Sequence, residues 1–155
     1  MEVRFAYAIL QSRKIRHEVV KYDHQIKGAE FAAQAVGFPL DRTIKTLVVA
    51  LDNTRYALAL MPGDRQLSMK KVAAVCRAKR AAMADTATAQ RLTGYLVGGI
   101  SPFGTQKQLP VIMEQTLQSL PEVLINAGQR GVMVKLAPAA IVRALDARLA
   151  DLAQA

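Results

Sequence analysis

The chain has 155 residues, 52% of them hydrophobic and 21% charged, a balance that excludes a disordered segment and leaves enough chain for a real core. Lys and Arg outnumber Asp and Glu by nine, so charge points to a polyanionic partner, nucleic acid first. A single cysteine excludes an internal disulfide, two histidines without a cysteine pair offer no zinc-type spacing, and no apolar run nears the roughly 20 residues that span a bilayer.

Aromatic residues make up only 5% and tryptophan is absent, so phosphate contact is better supported than base stacking. The start of the chain, Met1-Glu2-Val3-Arg4-Phe5, lacks the basic-then-apolar layout of a signal peptide. The expectation is one domain over residues 1–155, cytoplasmic, with no membrane contact and no metal or other cofactor.

Taken in order, Val3 to Leu10 has helical spacing and His17 to Tyr22 reads as a strand. Ala29 to Val36 turns helical, with Gly37 where a C-terminal cap belongs and Pro39 blocking continuation. Two strands follow, Asp41 to Leu51 and Tyr56 to Met61, joined at Asp52-Asn53 as an antiparallel hairpin. Lys45 is the one charge inside the first strand's apolar run. Such a lysine is either a strand-edge residue with its amine in water or a single positive charge at the end of a sheet that lines a pocket.

Ser68 is an N-cap for a helix whose apolar face is Met69, Val72, Ala73 and Cys76, which makes Cys76 a core residue. Lys70, Lys71, Arg77, Lys79 and Arg80 crowd the remainder and the following turn. Asp85 caps a shorter helix through Arg91. Thr93–Gly104 then holds four of the nine glycines. It is predicted to begin as a short strand, Tyr95-Leu96-Val97, and to break at Gly98-Gly99 and Ser101-Pro102. This pattern has two readings: a tight structural turn, or a loop whose main-chain N–H groups hold a ligand. Val111 to Met113 is a short apolar piece, Glu122 to Asn126 and Val132 to Leu136 are strands around the turn Ala127–Gly131, and Pro138 opens a last helix with the stripe Ile141, Leu145, Leu149 and Leu152. Six or seven strands with three or four helices in mixed order predict an α+β fold on a mixed, mostly antiparallel, barrel-like sheet flanked by helices.

No G-x-S-x-G elbow, P-loop or G-x-G-x-x-G is present, and the acids are scattered. What remains is a glycine-rich loop, one lysine at a strand start and a basic surface. That set suits a phosphate-bearing ligand and a carbonyl polarised by main-chain donors, and it supplies no general base.

Several stretches together carry a resemblance: Lys45-Thr46-Leu47, Gln66 to Ala73, Met83-Ala84-Asp85, Thr93 to Pro102 and Gly128-Gln129-Arg130-Gly131. In this order they resemble the YbaK/ProX family of free-standing aminoacyl-tRNA deacylases, relatives of the editing domain of bacterial prolyl-tRNA synthetase. The resemblance implies a pocket for the 3′ end of a mischarged tRNA, with tRNA(Pro) carrying cysteine, alanine or another small residue as substrate and prolyl-tRNA synthetase as a possible partner. By position, Lys45 matches the family's functional lysine, expected to hold the tRNA end near its phosphate or ribose. Gly98 and Gly99 match the loop whose backbone donors contact the ester. Ile100, Ser101 and Pro102 belong to the substrate side of that loop, and Tyr22 matches an aromatic near the pocket. Met133 stands where cysteine-directed members carry an aspartate, and the second aromatic expected after Tyr22 falls near Gly28. Both departures concern the amino-acid pocket and place cysteine specificity in question. A tRNA- or synthetase-binding module without turnover is the alternative, and a small-molecule esterase a third.

Overall fold

In the computed structural model, residues 10, 14–21, 37–129 and 131–155 are described. The predicted helices Val3–Leu10 and Ala29–Val36 lie outside the described residues, apart from Leu10, as do Tyr22, Gly28 and Arg130. Eight strands form one mixed sheet: β1 (Glu18–Lys21), β2 (Thr43–Leu51), β3 (Arg55–Pro62), β4 (Ala81–Met83), β5 (Val111–Glu114), β6 (Val123–Gln129), β7 (Val132–Leu136) and β8 (Arg148–Ala150). Their order is β1-β7-β6-β2-β3-β5-β8, with β4 also on β2. The pairs β1–β7, β2–β3, β2–β4 and β6–β7 are antiparallel, whereas β2–β6, β3–β5 and β5–β8 are parallel. The predicted α+β class and mixed sheet stand, with antiparallel pairs in the majority.

Among the described residues, three α-helices are complete and cover the two faces: α1 (Met69–Val75), α2 (Thr86–Thr93) and α3 (Pro138–Leu145). The period-2 alternation of the strands sorts the core between them. Ile44 and Val48 of β2 join Ile125, Val134 and residues of α2 and α3 in the main cluster. Val49 and Leu51 point the other way, into a second cluster with Val72 of α1. Both predicted caps form: Ser68 Oγ accepts from the Lys71 N–H (3.2 Å), and Asp85 Oδ1 accepts from the Thr88 N–H (2.7 Å).

Three local expectations are corrected. Tyr95-Leu96-Val97 is not a strand. Gly94 ends α2 in the left-handed conformation (φ +79°), and the chain passes directly into turns. The last helix stops at Leu145, where Asp146 adopts φ +51°. Leu149 therefore lies in β8, half-buried, and Leu152 in the segment after it, fully buried, instead of continuing a helical stripe. The turn at Ala127–Gly131 is tighter than predicted, because β6 runs to Gln129 through a bulge after Asn126. Neither β4 nor β8 is legible in sequence, since Ala-Ala-Met and Arg-Leu-Ala have little strand propensity and form only by pairing with β2 and β5.

Candidate active site

The site grows from a gap along one edge of β2. In an antiparallel pair, successive residues alternate between bonding the partner strand and pointing away from it. The Gly63 N–H donates to the Thr43 carbonyl (2.7 Å), so odd residues of β2 bond the β3 side. The Ala84 N–H donates to the Val48 carbonyl (3.0 Å), so even residues face the other side. On that side β6 pairs only Thr43 and Ile44, and β4 takes over at Val49. Between them, on this edge, the stretch Lys45–Val48 has no strand neighbour among the described residues, while its other edge pairs with β3. A cavity of about 330 Å³ opens at this gap, lined by Lys45, Thr46, Gly98, Ile100, Asn126 and Met133, with Met83 and Val97 also on its wall.

Lys45 is half-buried, and its register places it on the same sheet face as Asn126 and Met133, which sit directly opposite each other on β6 and β7. Burial lowers the pKa of its amine, and the negative charge of Asp64 partly restores it. It is the sole ionisable side chain on the cavity wall among the described residues. Met133 is buried beside Leu124, making that end of the wall apolar. Thr46 points to the opposite face but lines the same cavity, which extends across the edge of β2 and is also lined by Ile44 and Val48. Its Oγ1 is buried and finds no hydrogen-bond partner among the described residues, although a buried hydroxyl left unpaired costs about 1–3 kcal/mol.

The glycine loop is held over this gap from two sides. Tyr95 is buried at its base, and its hydroxyl donates to the Phe103 carbonyl; burial pushes the phenol pKa up to about 12. Its ring lies against Gly128, where a Cβ would come within 2.6 Å of Cε1 at a backbone φ of +101°. Asn126 makes the second tie. Its Nδ2 donates to the Gly98 carbonyl (3.0 Å), and its Oδ1 accepts from the Gly128 N–H (2.9 Å). These two bonds fix the orientation of the amide and bind the loop to the β6–β7 hairpin.

The predicted loop residues divide accordingly. Gly98 (φ +94°) and Ile100 reach the cavity, and neither of their N–H groups has a partner among the described residues. The Gly99 N–H is instead used within the turn, donating to the Leu96 carbonyl (2.9 Å), and the residue is buried. Ser101 is fully buried, with its Oγ accepting from the Phe103 N–H (3.1 Å). Pro102 lines a separate cavity next to Arg143. Gly99, Ser101 and Pro102 thus build the loop, and Gly98 and Ile100 present it. Tyr22 is outside the described residues. Thr46, Asn126 and Met83 were not expected at the site. Thr46 and Met83 had a signal, their places in the stretches Lys45-Thr46-Leu47 and Met83-Ala84-Asp85, whereas Asn126 becomes a neighbour of the loop only through strand pairing.

Residues 23–144 match the aminoacyl-tRNA editing domain family. A provisionally named Cys-tRNA(Pro)/Cys-tRNA(Cys) deacylase, EbsC, of Enterococcus faecalis is 33% identical over 124 residues, covering 80% of this chain and 76% of that protein. A proline–tRNA ligase of Sulfurihydrogenibium is 28% identical over 109 residues, 70% of this chain but 19% of the ligase. Among solved structures, one described provisionally as a trans-editing enzyme for prolyl tRNA synthetase superposes with a TM-score of 0.88 at 26% identity, covering 99% of this chain and 97% of the other. A hypothetical protein at 21% identity superposes with a TM-score of 0.90 and shares the fold. The chain belongs to the aminoacyl-tRNA editing domain family.

Proposed function

We propose that the protein is a free-standing aminoacyl-tRNA deacylase of the YbaK type, which hydrolyses the ester of mischarged tRNA in the cytoplasm. The observation that carries this reading is the composition of the cavity wall among the described residues: one ionisable group, Lys45, two N–H groups without a partner there, at Gly98 and Ile100, and a hydroxyl without one on Thr46. An aminoacyl ester is already activated, so positioning and stabilisation of the developing oxyanion suffice to cleave it. Lys45 would pair with phosphate or ribose at the tRNA 3′ end. The loop N–H groups and Thr46 Oγ1 would receive the carbonyl and ribose oxygens. Water attacks the carbonyl carbon and releases the free amino acid, or the thiol of a cysteinyl group attacks its own carbonyl carbon and releases a cyclic thioester; in both cases the carbon–oxygen bond to the ribose breaks, and that oxygen takes up the nucleophile's proton.

The wall formed by Met133, Ile100 and Val97 suits a small side chain of low polarity. We therefore favour tRNA(Pro) carrying alanine or cysteine, in line with the names of the relatives, with prolyl-tRNA synthetase as a candidate partner. Loss of the ester from Cys-, Ala-, Ser- and Pro-charged tRNA(Pro), followed with purified protein, tests this. Deacylation of the Cys or Ala ester at least tenfold faster than the Pro ester is expected. No loss above the buffer rate from any of them, with tRNA still bound, would leave a binding module in its place, a reading favoured by the lack of a general base on the described wall.

A further inference from the structure

We propose that the tRNA 3′ strand reaches the cavity along β4, from a basic groove formed by Lys70, Lys79 and Arg80. This inference rests on the deacylase reading for its substrate and adds the direction of approach.

The three side chains line one shallow cavity of about 520 Å³, with Ala73, Ala74, Ala78 and Ala81 in its wall. Small residues there bring the groove close to main-chain level and leave the cations standing at its rim. All three side chains are exposed, and none forms an ion pair among the described residues. Other cations of the chain differ. Lys71 pairs with Asp151 (2.9 Å) and Lys135 with Glu18 (3.6 Å). Arg55 and Arg148 donate to the Cys76 and Val75 carbonyls, adding fixed positive charge at the C-terminal end of α1.

The carboxylate of Asp52 accepts from the Lys79 and Arg80 backbone N–H groups (3.0 and 2.9 Å). It holds the turn in place while both side chains remain in solvent. Arg80 leads directly into β4, whose Ala82 and Met83 are exposed, and Met83 lines the active-site cavity. Three strand residues span roughly 10 Å. A phosphate held at Arg80 is therefore within reach of nucleotides adjoining the terminal one. A positive groove that tracks a backbone is how unpaired nucleic acid is bound without base readout, and it fits a chain poor in aromatic residues.

The test compares Lys70→Glu/Lys79→Glu/Arg80→Glu with a charge-matched control, Lys14→Glu/Lys107→Glu/Arg143→Glu, whose residues are exposed elsewhere. Three lost single-strand contacts should flatten the slope of log affinity against log salt for uncharged tRNA by about 2, a roughly 20-fold change in salt sensitivity between 50 and 200 mM. With mischarged tRNA the groove variant should show a KM raised about tenfold or more at little change in kcat. Its turnover of a 3′-O-aminoacyl adenosine, which has no upstream strand, should equal that of the parent. Thermal melting checks folding, and the triple alanine variant repeats the test if the glutamates do not fold. Equal losses in groove and control variants, or an unchanged salt slope in the groove variant, would overturn the proposal. If the parent cleaves no charged tRNA, the deacylase reading falls, while the slope with uncharged tRNA still decides the groove.

Discussion

Glu114 and Thr46 are polar residues on strands of the same sheet, and the fold treats them in opposite ways. The Glu114 side chain is 1% exposed, yet its carboxylate accepts from the N–H groups of Leu152 (2.8 Å), Ala153 (3.2 Å) and Thr116 (2.8 Å). Burial opposes its charge, but these donors outweigh burial and hold its pKa below the ordinary carboxylate range. It fastens the C-terminal segment to β5. The Thr46 hydroxyl is buried as well, and the described residues offer it nothing. A satisfied buried polar group works for the fold. An orphaned one at the wall of a cavity marks where the fold withholds a partner that a ligand can supply.

Substitutions at these two residues and at Lys45 test the contrast. The largest effect is expected at Lys45, the charge beside Thr46. Lys45→Ala should lower kcat/KM for mischarged tRNA about 100-fold while leaving thermal stability within about 0.5 kcal/mol, since loss of a positioning charge misplaces the ester. Full activity in that variant would remove Lys45 from the site. Because burial lowers its pKa, the enzymatic rate above the buffer background should decline at a lower pH than an ordinary lysine would dictate.

Glu114→Gln should destabilise by about 2–3 kcal/mol, seen in chemical denaturation, with the specific activity of the folded protein unchanged. The sign of its pH dependence follows from the depressed pKa. The stabilisation is complete above the unfolded glutamate pKa and is lost as pH falls through the folded one. The parent and Glu114→Gln should therefore converge in acid, and a constant gap down to pH 2 would show that the charge is not what matters.

Thr46→Val gives the smallest and most diagnostic effect. It preserves shape and removes the orphan, so stability should stay level or rise by up to about 1 kcal/mol. Activity should fall roughly five- to tenfold, the loss of one hydrogen bond to the substrate. A destabilised Thr46→Val with normal turnover would reverse the assignment, making Thr46 structural like Glu114.

How much of this was legible follows from range. β2, β3, β7 and the capped helices α1 and α2 rest on local alternation and on Ser68 and Asp85, all within a few residues of each other. β4, β8 and the end of α3 needed partners distant in sequence. The glycine loop was legible as a special place, yet which of its residues face the ligand was not, because Gly98 and Gly99 look alike on paper. A hydrogen bond back to Leu96 consumes one N–H, and a distant asparagine grips the carbonyl of the other.

The α+β class, the basic charge, the lysine in β2 and the family follow from residue order alone, because motif order and hydrophobic period are properties of the unfolded chain as much as of the folded one. Assembly of the sheet settled that one edge of β2 has no strand between β6 and β4 among the described residues, while its other edge pairs with β3, and that Thr46, Asn126 and Met83 meet the glycine loop at this gap. The physical reason is that pairing ends and cavities depend on which distant strands satisfy a backbone edge, and that is settled only when the sheet assembles.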